Sequence, residues 1–152
     1  MISAVVLLCA IPAQSQTAPA GWKTIKDGKS ACQIAVPPEW DPLGEDNGAA
    51  IFHDPGTAIA VVTSQPGQEF KPLPPGLLKA MGIPKEKMFE NSAKRIFYQD
   101  KTSANPNDPN GFSSSIPARD GTCSCHVTAL RDIPEDTAKK IVLSLAPVPD
   151  KS

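Results

Sequence analysis

No stretch of this sequence matches a catalytic motif, and no block of like charge stands out along it. Acidic and basic side chains nearly cancel, to a net charge of -1. A nucleic-acid binder would carry a basic patch or stripe, so that class is disfavoured. Aromatic residues make up only 5% of the chain, which leaves a modest, mainly aliphatic core. No apolar run reaches the roughly 20 residues that a membrane-spanning helix needs, and there are no internal repeats. Proline is abundant, at 17 of 152 residues, and that points to many loops and turns. Apolar residues still fall in periodic blocks, so the composition does not describe a disordered chain. The length suits one domain with a core of its own.

The first twenty residues carry no charge. Ile2–Ile11 is a short apolar run followed by Pro12 and small polar residues, which reads as an export signal. Ala13-Gln14-Ser15 and Ala18-Pro19-Ala20 are the two candidate cleavage zones. The basic segment that opens such signals is missing, so the start codon is expected upstream of Met1. A buried N-terminal strand is the alternative. Lipid anchoring at Cys9 is disfavoured, because bulky Leu8 stands where a lipoprotein signal has a small residue. The domain proper is placed at 21–152, after a leader at 1–20.

Gly121–Leu130 organises that domain. Cys123, Cys125, Val127 and Ala129 alternate with Thr122, Ser124, His126 and Thr128, the period of two expected of a half-buried strand. Ala31–Val36 repeats the pattern, with Cys32, Ile34 and Val36 on one side, and Pro37-Pro38 ends it. Gly21–Lys29 is an irregular lead-in or an edge strand, and Asp41–Gly48 reads as a loop. Ala49–His53 and Thr57–Ser64 form a hairpin around Asp54-Pro55-Gly56. The second of these strands is apolar on both sides, which places it inside a sheet covered twice. Gln65–Pro75 is an extended proline-rich connection. Gly76–Gly82 and Pro84–Asn91 read as short helical turns, Lys94–Gln99 as a strand and Asp100–Gly111 as a loop. A closing helix shows Ala138, Ile141, Val142 and Leu145 as one apolar stripe. Asp132 with Glu135 reads as its capping box and Pro147 as its stop. That helix should lie across the apolar face of the sheet.

Ile34-Ala35-Val36-Pro37-Pro38-Glu39-Trp40, Arg119-Asp120-Gly121 before the late strand, and Ile141-Val142-Leu143-Ser144-Leu145 in the helix stand in a familiar order. The arrangement resembles the PsbP-like family, named for an extrinsic subunit of photosystem II and rich in exported bacterial relatives. The resemblance implies an α+β fold, an antiparallel β-sheet with helices packed on its faces as an α/β/α sandwich. It also implies a non-enzymatic role in binding or assembly with a protein partner, without a cofactor. The cysteines and a shortened middle depart from the family pattern.

Three cysteines remain after export, which suggests one disulfide and one free thiol. Cys32 with Cys123 or Cys125 is the sensible pair if their strands are neighbours sharing a face. Three reduced core thiols are the alternative. A zinc site of Cys32, Cys123, Cys125 and His126 is disfavoured, since His126 points away from the cysteines on a regular strand. Cys123-Ser124-Cys125 lacks the spacing of a thioredoxin-like pair. His53 beside Asp54 is read as a hairpin-edge histidine, because no nucleophile motif accompanies it. Asn105–Asn110 lacks the spacing of a calcium loop. Trp22, Trp40 and Tyr98 are read as packing under the sheet edge rather than lining a groove. The chain is thus expected to be a secreted or periplasmic binding or assembly domain. A cysteine-based metal-binding or thiol redox protein is the alternative.

Overall fold

The computed structural model describes residues 18–45, 48–53, 58–100, 110–129 and 133–149. Most of the expected leader with Cys9, the Asp54-Pro55-Gly56 turn, residues 101–109 and Asp132 lie outside these, as does the side chain of His53.

Two antiparallel sheets form the body. The smaller holds β1 (Lys23–Lys26), β2 (Cys32–Val36) and β10 (Ala146–Pro147), in the order β1-β2-β10. The larger contains β3 (Asp41–Glu45), β4 (Gly48–His53), β5 (Ala58–Pro66), β6 (Met88–Asn91), β7 (Ile96–Asp100), β8 (Asn110–Ala118) and β9 (Gly121–Ala129). Their order is β3-β4-β5-β9-β8-β7-β6, so the cysteine strand β9 is the central one. Its alternation sets the two faces. Cys123, Cys125 and Val127 stand opposite Ser64, Val62 and Ala60 of β5 and Ile116, Ser114 and Phe112 of β8. These residues are buried, while Ser124, His126 and Thr128 point to the other, half-open face.

The closing helix α2 (Glu135–Leu143) packs its Ala138, Ile141 and Val142 stripe against β8 and β9 on the core face. β2 shares that face and joins Trp40, Val62, Phe112, Val127 and Leu145 in one core cluster. β10 pairs only with Gln33 and Cys32. Beyond it the Ala35 N–H donates to Ser144 Oγ at 2.8 Å, so the end of α2 satisfies a strand donor that β10 is too short to reach. A second helix, α1 (Pro75–Ala80), buries none of its residues.

The structure corrects several local expectations. Asp41–Gly48 is not all loop: β3 forms the sheet edge there, where Pro42 costs no ladder bond and a register shift between Pro42 and Gly44 absorbs the misfit. Pro84–Asn91 is helical only as a 3-10 turn at Lys85–Lys87, and Met88–Asn91 pairs with β7 as β6. A run that short cannot sustain a helix against an available sheet edge. Phe89 also gains a ring contact with Phe97 at 4.8 Å between centroids. Asp100, Asn110 and Gly111 belong to strands, not to the loop between them. The N-cap of α2 is Pro134, which gives no side-chain cap, and its C-cap is Ser144, so Pro147 enters β10 instead of stopping the helix. β5 does lie inside the sheet, but only Ala58, Ala60, Val62 and Ser64 are buried; Ile59 and Val61 are half-covered.

Candidate functional site

The cysteines divide cleanly. Cys32 and Cys123 form a disulfide with Cα atoms 5.6 Å apart, a normal span for such a bond. Their strands are not neighbours in one sheet, as the sequence suggested. They face each other between the two sheets, and the bond ties those layers together. Cys125 is a buried free thiol. Burial pushes its pKa well up, against the opposing pull of nearby Arg95, so it stays protonated and unreactive. Arg95 is itself buried and donates to Ser114 Oγ at 3.0 Å and to the Val142 carbonyl at 3.3 Å. Burial lowers its pKa, while Glu90 and Cys125 act the other way.

His126 sits on the opposite face from the cysteines, so the four side chains weighed for zinc do not converge. Among the described residues no group of three His, Cys, Asp or Glu side chains could hold a metal ion. His126 has other partners. Its Nδ1 lies 3.0 Å from Asp100 Oδ2 and 2.8 Å from Ser113 Oγ, and its Nε2 lies 2.7 Å from Thr128 Oγ1. Ser113 also donates to Asp100 at 2.9 Å. Sequence reading did not anticipate this cluster, because its members come from β7, β8 and β9. Ser113 and Asp100 crowd the same ring nitrogen, whereas a hydrolytic triad holds its acid and its nucleophile on opposite nitrogens. The arrangement is a cross-strand polar network. Tyr98 lies on the same outer face, where burial raises its pKa and its hydrogen bond with Ser113 lowers it. Trp40 is fully buried and Trp22 packs partly buried against the core, so the aromatics line no common groove.

A concavity lies at the other end of β9. A cleft of about 630 Å³ opens where the β1–β2 turn, the end of β5, the β8–β9 turn and Pro147–Pro149 meet. Among the described residues, Lys26, Lys29, Arg119 and Asp120 are its charged lining. A second depression of about 350 Å³, bordered by Gly67–Phe70, flanks the same Arg119–Asp120 turn.

Asp27 builds the first wall. Its buried carboxylate accepts the N–H groups of Ala31 at 2.7 Å and Cys32 at 2.9 Å through Oδ1. Through Oδ2 it accepts the Ser64 hydroxyl at 2.5 Å, which links the small sheet to β5. Ser30 takes a left-handed φ of 53° at the corner of this turn, and its N–H donates to the Asp27 carbonyl at 2.8 Å. Burial acts to raise the Asp27 pKa, but hydrogen bonds from Cys32, Ser64, Ala31 and Lys29 outweigh it and hold the group below its usual value.

The opposite wall is pinned as firmly. Gly67 N–H donates to the Asp120 carbonyl at 2.7 Å, and Thr122 Oγ1 to the Gln68 carbonyl at 2.9 Å. Gly121 allows the close approach, since a Cβ there would overlap the Gln65 carbonyl oxygen. Ala31 and Thr122, which line the cleft, directly precede the bonded Cys32 and Cys123.

No family model matches the sequence, and no curated protein matches it significantly. The chemistry of the cleft has to be read from its own residues. Among the described residues its lining combines Lys26, Lys29, Arg119 and Asp120 with the hydroxyls of Ser30, Ser64 and Thr122 and the prolines Pro66, Pro147 and Pro149. Among the described residues no helix is long and apolar enough to cross a membrane.

Proposed function

We propose that this chain is an exported, non-enzymatic binding or assembly domain of the PsbP-like kind, acting in a secreted or periplasmic setting on a protein partner. The observation that carries the reading is the cleft beside the disulfide, whose walls are fixed by Asp27, by the Cys32–Cys123 bond and by the Arg119–Asp120 turn. Preformed concavities of about 300–1,000 Å³ are the usual form of binding sites. The disulfide favours an oxidising compartment, and the charge-free first twenty residues favour export. The PsbP-like α/β/α sandwich belongs to the same proposal, with α2 as the helix already seated on the sheet.

A photo-crosslinking residue placed at Lys29 or at Leu43, in the full chain in the producing cell, tests this. Both positions are exposed. Discrete protein adducts from Lys29 and few from Leu43 are expected, in the exported fraction. Equal or absent adducts at Lys29 would overturn the reading. Saturable uptake of zinc or copper by the folded, oxidised protein, lost on substitution of the cysteines, would instead establish the thiol-based alternative.

A further inference from the structure

We infer that the short helix α1 and the residues that close it are a docking element for an anionic phospholipid bilayer; this goes beyond the binding-domain reading and does not depend on the cleft. A helix of six residues does not hold itself together in water, and α1 buries none of its residues. Its ends are fixed all the same. Ahead of it, the Leu73 N–H donates to Asn91 Oδ1 at 2.8 Å, and the Leu73 carbonyl accepts from Asn91 Nδ2 at 2.9 Å, which ties the segment to β6. Behind it, Gly82 turns the chain at a left-handed φ of 67°. Ile83 is then buried, and its N–H donates to the Leu78 carbonyl at 3.1 Å. The fold orders a helix that gains nothing from burial of its own, and contact with something outside the chain gives that ordering a use.

Among the described residues the large exposed apolar side chains are Leu43, Leu77, Met81 and Phe89. Phe89 packs on Phe97 at 4.8 Å between centroids, and Lys139 Nζ lies 5.2 Å from its ring centre. Leu77 and Met81 are 44% and 43% exposed. The Met81 N–H donates to the Leu77 carbonyl at 2.8 Å, so the two side chains share one side of the helix. Charge points to their occupant. Between Gly67 and Arg95 the sequence places six cations against three carboxylates, although the whole chain stands at -1. Glu69 is paired with Lys71, Lys87 donates to Gln99, and Glu90 acts on the buried Arg95. What remains is Lys79, Lys85 and Lys94, all exposed, against exposed Glu86. Two apolar side chains on an outward helix, in a segment with surplus lysine, suit the headgroup region of an anionic bilayer: Leu77 and Met81 enter the acyl boundary while lysine stems reach the phosphates. A protein partner would need roughly 800 Å² of fitted surface on this side, and neither depression described above includes a residue of α1. A fluid bilayer needs no fitted surface.

The test is co-sedimentation of the exported, oxidised protein with lipid vesicles. The probes are vesicles of phosphatidylglycerol and phosphatidylcholine in equal parts, and vesicles of phosphatidylcholine alone. Partition onto the anionic vesicles is expected to be about tenfold stronger than onto the neutral ones, and to fall roughly tenfold between about 50 and 500 mM salt. Leu77→Ser/Met81→Ser and Lys79→Glu/Lys85→Glu should each weaken it about tenfold, with little change in melting temperature because all four side chains are exposed. Leu43→Ser, on β3 at the opposite edge of the large sheet from β6, should leave it unchanged. Three results would overturn the inference: no partition onto the anionic vesicles, equal partition onto the neutral ones, or full partition of either double variant. A photo-crosslinking residue at Ala80 in the producing cell separates the two kinds of partner. Lipid adducts would support the inference, whereas discrete protein adducts without vesicle binding would overturn it and assign α1 to a protein.

Discussion

Replacement of Asp27 by alanine should destabilise the protein out of proportion to the size of the side chain. The carboxylate accepts from Ala31 N–H, Cys32 N–H and Ser64 O–H, two of these contacts being buried and the Ala31 one partly so. Each buried donor left without an acceptor costs about 1–3 kcal/mol. With the exposed share of the Ala31 contact discounted, the loss should come to about 3–5 kcal/mol, a large part of the ~5–15 kcal/mol that holds a typical domain together. Asp27→Asn keeps an acceptor on Oδ1 for both amides, and the Ser64 hydroxyl can turn to accept from its NH₂. It should cost only about 1–2 kcal/mol, the charge-assisted part of the network. Denaturant titration of the oxidised protein at neutral pH, followed by tryptophan fluorescence, measures both. The pH dependence supplies an independent check. The folded carboxyl titrates below its ordinary value of 3.8. Its contribution is therefore complete above that value and is lost as pH falls through the lower folded one. Asp27→Asn should remove this component of acid destabilisation. An alanine variant that costs less than about 1 kcal/mol, or an asparagine variant with unchanged acid sensitivity, would refute the assignment of this carboxylate as the tie between the sheets.

Other consequences are simpler to check. The Cys32–Cys123 bond spans a sequence separation of 91, and in the chain-entropy account its reduction should cost about 4–5 kcal/mol of unfolding free energy, measured with and without reductant. In protein that has lost its leader, the native oxidised form should leave Cys125 unlabelled by a thiol reagent, and unfolding without reductant should expose one thiol. Gly121→Ala should destabilise by about 1–3 kcal/mol or more, because the new Cβ overlaps the Gln65 carbonyl and the strand must shift; a neutral result by thermal melting would contradict that packing. Ile141→Ala, at a fully buried site in α2, should cost about 2–5 kcal/mol, whereas Lys140→Ala on the exposed side of the same helix should change the melting point little.

What could be read from the sequence follows the range of the interactions involved. The alternation in Cys123–Thr128 and the stripe in Ala138–Leu145 are local periodicities, and both mark the faces that the structure buries. Elements whose form is decided by a distant partner were misread. Met88–Asn91 carries helix-tolerant charge around it, but its conformation is set by the edge of β7. Asp41–Glu45 has the proline and glycine of a loop, and becomes a strand because an edge position spares it half its ladder. The site follows the same logic more severely. Arg119 and Asp120 could be recognised as a turn and Asp27-Gly28-Lys29 as a polar lead-in, yet nothing in either segment announces that they face each other. Their meeting depends on Ser64 reaching Asp27 and on Cys123 reaching Cys32, contacts 37 and 91 residues apart in the chain. The cysteines were the one visible trace of that closure. Their spacing suggested that two distant strands are tied together, and the cleft is the space those strands and their turns enclose. A pair of sheets joined beside an open cleft can present charges from remote turns on one surface without any local charge run.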